Sequence, residues 1–392
     1  MEIRRLAAED YDELLAVLNK TFGNKYGREM DFLSTQPKMW VKDDRHMGMH
    51  LGAFEDGVLA AVVGIYPLPA VIGGKEVLFA TTGNVATLPE YEGRGFFTKL
   101  FTLAVKEAEE MGAVAARLGG ARQRYSRYGF EPAGLSYKFS FNETNRIKGL
   151  GDKEPNITFR EIERGDTEHL AYCKKIAESG DFYVTRSDED SFRDVYLALT
   201  TTHCAPYIAL REGKPVGYLS SFDENVYIGK SSRGRNIREI RAEKEGDLIP
   251  IISAWQSYVG TEITVALPPH LYGDISGLVS VAESVSVSSP SRFKIYDYEK
   301  LAGALIGLKL RDTLPVGEEN IGINGYGTLK LYNNGKEAGC IRTSEPAKIN
   351  LEPAAATRVL FGTLTSEVQL LGSPFLSALL PLPLSWSTLD YV

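Results

Sequence analysis

A pattern that recurs at a fixed distance constrains this chain most. Ile3-Arg4-Arg5-Leu6 runs to Asp10 and then to Leu14, Leu15 and Leu18 at helical spacing. Phe159-Arg160-Glu161-Ile162 runs to Asp166 and then to Leu170 and Ile176, and Phe159 lies 156 positions after Ile3. The next element keeps the register. Leu51 to Gly57 (LGAFEDG) and Tyr207 to Gly213 (YIALREG) each place an acidic residue and a glycine between two apolar strands, which is a hairpin signal. Gly213 again lies 156 positions after Gly57. Two elements far apart that hold one register argue for a tandem duplication. Each copy reads as strand, helix, hairpin, strand and helix, so the expected class is α/β, a mixed sheet with helices, built twice.

A chain of 392 residues has room for two or three cores. With 43% hydrophobic and 24% charged residues it reads as an ordinary globular protein. A formal charge of −7 argues against nucleic acid as a main partner, and the basic run Lys230 to Arg238 reads as a solvated loop. Cys173, Cys204 and Cys340 are scattered, odd in number and without CxxC spacing, which suits a reducing cytoplasm. MEIRRLAAED has no apolar core of a signal peptide, and Leu59–Ile72 and Leu370–Leu384 are interrupted by Pro and Gly. A cytoplasmic protein without membrane contact is expected. His46 and His50 are close in sequence, but no further ligands are visible, so no metal is expected.

The chemistry concentrates in Thr81 to Leu100 (TTGNVATLPEYEGRGFFTKL). A β-prone segment, Gly83 to Leu88, meets Pro89, a short loop carries Gly93, Arg94 and Gly95, and a helix pattern opens at Phe96. Glycines at a strand-to-helix junction let successive N–H groups converge, and the helix start adds unsatisfied donors and the positive end of its dipole. That is a cradle for an anion such as a pyrophosphate. By contrast, Gly73-Gly74-Lys75 lacks the surroundings of a P-loop and reads as a hairpin turn. About thirty residues past the loop comes Tyr125-Ser126-Arg127-Tyr128-Gly129-Phe130.

Together these two stretches resemble the GCN5-related N-acetyltransferases, whose central motif is (R/Q)-x-x-G-x-(G/A), followed by Tyr-x-x-x-Gly-Phe. Here Glu92 stands where the family has Arg or Gln, and Phe97 where it has Gly or Ala. The resemblance implies acetyl-coenzyme A as co-substrate. Its pyrophosphate would sit on Gly93, Arg94, Gly95, Phe96, Phe97 and Thr98, its pantetheine on the strand edge at Val85, Ala86 and Thr87, with Gly120 and Ala121 also in the cofactor site. Tyr125 would be the general acid that protonates the leaving thiolate. A phenol of pKa about 10 stays protonated where an alkyl thiol of about 8.5 begins to ionise. Tyr128 reads as packing.

At the 156-residue offset, Gly93 to Gly95 map to Ile249, Pro250 and Ile251, which lack glycine and lose a donor to proline. The second copy therefore reads as degenerate and without cofactor. Beyond Ser284 to Pro290, read as a polar linker, Tyr298–Leu308 reads as a helix. Strands follow over Ile321–Ile341 around Asn333-Asn334-Gly335, then a helix over Leu351–Leu360. Two acetyltransferase units and this α+β tail resemble the enhanced intracellular survival family, with domains at 1–145, 150–287 and 291–392. The last of these is the sterol-carrier-protein-like domain.

That family resemblance implies that the terminal carboxylate, here on Val392, folds back as the general base, with Asp390 as relay or cation anchor, and that the protein is a homo-oligomer. For the acceptor, Phe22, Tyr26, Phe32 and Trp40 lie near Asp31, Asp43 and Asp44. They read either as aromatic walls with carboxylates for an amine or polyamine-like cation, or as core aromatics beside a solvated acidic loop. Tyr26, Trp40 and Asp390 are the expected acceptor contacts. The expected activity is N-acetylation of a primary amine on a small cationic acceptor, aminoglycoside- or polyamine-like, or on lysine. The alternatives are a non-enzymatic acyl-coenzyme A sensor and a lipid carrier acting through the tail.

Overall fold

The computed structural model describes residues 1–146, 156–187, 190–222, 234–244, 246–309, 314–363 and 365–390. Lys230 to Arg233 of the basic run lie outside them. The chain divides into two compact units, one of Met1–Gly134 with Ser289–Pro383, the other of Leu135–Ser288 with the segment from Leu384.

In the first unit β1 (Glu2–Arg5), β2 (His50–Glu55), β3 (Val58–Ile72), β4 (Lys75–Thr87) and β5 (Ala115–Leu118) lie in chain order, followed by Ser291–Ile295 and then β6 (Glu131–Ala133). The first four strands are antiparallel, and β4 pairs with β5 in parallel. The helix Phe96–Glu110 turns Leu100, Phe101, Ala104 and Ala108 onto Val63, Ile65, Ala80 and Ala116 of the sheet. Period-3.6 burial on the helix thus meets period-2 burial on the strands. The helix Tyr11–Tyr26 buries Leu14, Leu15 and Leu18, the stripe seen in the sequence.

The second unit repeats this order as Ile157–Glu161, Cys204–Arg211, Lys214–Phe222, Asn236–Ala242, Ile263–Leu267, Ser136–Phe141 and Ser284–Ser288. The hairpin turns match as well. Asp56 and Gly57 have φ of 51° and 79°, Glu212 and Gly213 of 52° and 76°, both the primed turn that suits twisted strands. Gly73 and Gly74 form the β3–β4 turn with φ of 55° and 76°.

Two expectations change. Ser284–Ser288 is an edge strand, paired through Val285 with Phe139, and Ser291–Ile295 is a strand of the first sheet between β5 and β6. The Ser–Val alternation that read as a linker is also a period-2 strand pattern, and pairing of the backbone decided it. The next-to-last position is Ser291–Ile295 in the first sheet and Ser136–Phe141 in the second, each from outside the repeat, 1–145 or 150–287, whose sheet it joins.

The offset of 156 also does not persist. The helix that answers Phe96–Glu110 is Leu248–Val259, so Ile249, Pro250 and Ile251 lie inside it and Asp247, not Ile251, occupies its cap. Four fewer residues between hairpin and helix account for the shift.

The rest of the first unit is a four-stranded sheet ordered Ala338–Thr343, Gly327–Asn333, Gly317–Ile323, Ile349–Leu351, with the helices Tyr298–Ile306 and Pro353–Phe361. Asn333 accepts the Gly335 N–H at 3.0 Å and sets the turn read from Asn-Asn-Gly.

Candidate active site

β4 and β5 stay together only through Phe79–Thr81 against Ala115–Arg117. Beyond that, Thr82 to Thr87 have no partner on the β5 side, and the strands part. The parting is reinforced on the other edge. Ala86 faces Val62 and Gly83 faces Gly64, so Asn84 and Val85 together oppose a single residue. This is a β-bulge with Asn84 at φ 51°. A cleft of about 1150 Å³ opens there, lined by strand, loop and helix residues of the first unit.

At its floor lies the loop into the helix Phe96–Glu110. Gly93 and Gly95 sit at φ 75° and 83°, the left-handed region, with no heavy atom within 4 Å of where a Cβ would stand. Glycine is needed here for its backbone, not to relieve crowding. The helix's first backbone bond is Lys99 N–H to Gly95 O at 3.2 Å, which leaves the earlier amides of the turn as orphan donors. Gly93, Gly95, Phe96, Phe97 and Thr98 all line the cleft, as do Val85 and Thr87 on the open edge. The Arg94 side chain does not. It pairs with Glu55 and lies over the Tyr91 ring at 5.1 Å.

Tyr125 closes the far side, 7% exposed, with Phe101 5.1 Å and Phe97 6.1 Å from its ring. Gly120, at φ 112°, leaves room for it, since a Cβ there would stand 2.9 Å from Tyr125 Cε2. Burial pushes the phenol's pKa up, partly opposed by Arg124, so it holds its proton at neutral pH. Tyr128 packs on Phe101 at 4.7 Å. Ala121 caps the short helix Arg122–Tyr125 and Ala86 faces Val62; neither lines the cleft.

The acceptor residues separate. Tyr26 lines the cleft and is 51% exposed. Trp40 is buried, donates to Phe32 O at 2.6 Å and stacks on His50, within the core. Asp31 and Asp43 cap short helices, and Asp44 accepts the Ala8 N–H at 2.8 Å. Asp390, buried in the second unit, lies 3.8 Å from Arg186. Val392 lies outside the described residues.

Arg124 and Arg127 were missed by the sequence reading. Their guanidinium groups lie 4.6 and 5.8 Å from the Phe97 ring, at the lining of the cleft. Two arginines seated on an aromatic ring beside orphan amides are donors of the kind that an anion could take. Their signal was the RQRYSR run. Among the described residues no group of three or more His, Cys, Asp or Glu could hold a metal ion. No helix among them is long and apolar enough to cross a membrane.

A strand pair that parts over a helix N-terminus defines the class. Residues 2–133 match the family described as the acetyltransferase (GNAT) domain. Over those residues the first unit is similar to an acetyltransferase domain, and it has the mixed α/β fold expected. The whole chain is similar to solved structures. A GCN5-related N-acetyltransferase from Kribbella flavida is 17% identical, with TM-score 0.65 and full coverage of both chains. One from Anabaena variabilis is 17% identical, with TM-score 0.67 and full coverage of both. Eis1 from Mycobacterium abscessus is 17% identical, with TM-score 0.67, over 99% of this chain and 98% of that one. No curated protein matches the sequence.

Proposed function

We propose that the first unit transfers acetyl from acetyl-coenzyme A to a primary amine by direct attack. One observation carries this: the open β4 edge, the orphan amides of the helix start and the buried Tyr125 phenol all line a single cleft. The chemistry of this donor set fits the co-substrate. Backbone amides and Arg124 and Arg127 match phosphate oxygens, and an unpaired strand edge matches the amides of a pantetheine arm.

In this reading the amine nitrogen attacks the thioester carbonyl, the new C–N bond forms, the C–S bond breaks, and Tyr125 gives its proton to the departing sulfur. The terminal carboxylate of Val392 serves as base for the amine's proton, and we assign Asp390 to anchoring the segment that leads to it. Glu92 is the carboxylate among the described lining residues, against Lys25, Arg124 and Arg127. This favours an acceptor that presents one primary amine, as a lysine side chain or an arylalkylamine does, over aminoglycoside- or polyamine-like polycations. The second unit is read as a copy without cofactor. The division at 1–145, 150–287 and 291–392, the sterol-carrier-like tail, the cytoplasmic site and a homo-oligomeric state follow the enhanced intracellular survival family, supported by the whole-chain likeness to Eis1.

The test is release of free thiol from acetyl-coenzyme A across a panel of amines. Amine-dependent release by the wild type, with one acetyl-coenzyme A bound per chain by calorimetry, is expected. Release that no amine stimulates overturns the reading. For the base, residues added after Val392 should suppress turnover while acetyl-coenzyme A affinity is kept. Turnover at the parent rate excludes the terminal carboxylate.

A further inference from the structure

A buried polar chain leads from the core to the cleft. His50 Nδ1 lies 3.2 Å from the Met47 carbonyl, His50 Nε2 2.9 Å from the Tyr66 hydroxyl, and Asn84 Nδ2 2.8 Å from the same hydroxyl. His50 and Tyr66 are fully buried, and Asn84 is 5% exposed where it lines the cleft.

The direction of every bond in this chain is determined. A carbonyl can only accept, so His50 carries its proton on Nδ1 and leaves Nε2 bare. Burial lowers the His50 pKa to about 4, which keeps the ring neutral at working pH. Tyr66 has one proton, and the bare nitrogen takes it. The phenol oxygen is then an acceptor only, and it takes an N–H from Asn84. The carboxamide nitrogen is therefore turned inward, and a flipped amide would set its oxygen against an oxygen with no proton to offer. Asn84 Oδ1 is left without a hydrogen-bond partner among the described residues.

We propose that Asn84 Oδ1 is the acceptor-site contact that takes an N–H of the attacking amine, and that Tyr66 and His50 are positioning residues that hold its carboxamide in that sense. The proposal rests on the acetyl-transfer reading. An amine nitrogen bound through one N–H can turn its lone pair to the thioester carbon. As the C–N bond forms, that nitrogen gains positive charge and the hydrogen bond to Oδ1 strengthens, so the contact favours the transition state over the bound amine. The bulge explains the residue's place. It pushes Asn84 out of the ladder at φ 51°, a conformation that asparagine tolerates better than most side chains.

The experiment compares wild type, Asn84→Gly, Tyr66→Phe and the double variant, using whichever panel amine the wild type acetylates fastest. Glycine keeps the backbone at a positive φ, so the Asn84→Gly variant removes the carboxamide with the least risk to the fold. It is expected to lower kcat/KM for the amine by about tenfold or more, the range for a hydrogen bond to a group gaining charge. Calorimetric affinity for acetyl-coenzyme A should stay within twofold of wild type. Tyr66→Phe frees the carboxamide to turn and should lower kcat/KM by about threefold or more, with the double variant no worse than Asn84→Gly alone.

Full additivity in the double variant would show that Tyr66 acts independently of Asn84 and would overturn the positioning role. Asn84→Gly within twofold of a wild type that does turn over amines would overturn the contact and leave acetyl transfer standing. A wild type that binds acetyl-coenzyme A yet acetylates no amine would remove the acetyl-transfer reading, and this inference with it.

Discussion

The two sheets share one strand order and one hairpin turn, yet among the described residues their strand-to-helix junctions are built differently. In the first unit Thr82 to Thr87 stand open on the β5 side, and Gly93 and Gly95 turn amides toward a cleft. In the second, the strand Asn236–Ala242 carries Glu239, whose buried carboxylate takes two bonds from Arg186 at 3.0 and 2.9 Å, one from Tyr218 at 2.8 Å and one from Ser387 at 2.8 Å. The helix that follows starts at Asp247, itself paired with Arg211 at 2.9 Å. A carboxylate at a helix start already answers its dipole and would repel a pyrophosphate. The same fold can thus direct its polar groups at a ligand or at itself, and function follows that choice and not the architecture.

The largest expected effect breaks the closed copy. Arg186→Met removes the guanidinium that bonds the buried Glu239 carboxylate twice and should cost about 3–5 kcal/mol, read as a lower denaturation midpoint. A pH arm sharpens it. Burial alone would raise the Glu239 carboxyl, but Arg186 and Arg241 outweigh it and hold it at about 2, below its ordinary 4.5. A depressed carboxylate contributes stability that is complete above pH 4.5 and is lost as pH falls from 4.5 towards 2. Wild type should show that acid slope, and Arg186→Met should lack most of it. An unchanged midpoint and slope would mean that the cluster does not hold the second unit together.

Next comes the chemistry of the open copy. Tyr125→Phe should lower kcat by about 10²-fold, the range of a general acid, with acetyl-coenzyme A affinity unchanged. Near-full turnover would reduce Tyr125 to packing. The smallest effect compares the junctions directly. Gly95→Val forces a branched side chain into φ 83° and should weaken acetyl-coenzyme A binding about tenfold. Gly246→Val, at φ 87° just before Asp247, imposes the same strain in the second unit and should leave that affinity alone. Equal losses from both would show that the second junction also binds the co-substrate.

Much of the candidate site's local geometry was legible because its signals are local. Glycines before a helix, Tyr125 five residues before Phe130, and the acidic-Gly turns each depend on a few neighbouring backbone angles, and the structure places them in those angles. Trp40 and the acidic residues beside it were ambiguous for the same reason. An aspartate that caps a helix, as Asp31 and Asp43 do, looks in sequence like one that awaits a cation. Arg124 and Arg127 escaped because a basic run acquires meaning only when Phe97 lies under it.

By itself the sequence determined the duplication, the elements that each copy would form, and the loop and phenol of the first copy, since periodicity and turn chemistry act within a few residues. Tertiary structure alone decided the rest. It filled the next-to-last strand of each sheet from outside the repeat that builds the rest of it and parted β4 from β5. It also buried Glu239 with Arg186 and aligned Met47, His50, Tyr66 and Asn84 into one directed chain. These depend on which distant backbones and charges meet, because a strand edge or a buried charge is satisfied by whatever partner the fold brings to it, and sequence distance does not name that partner.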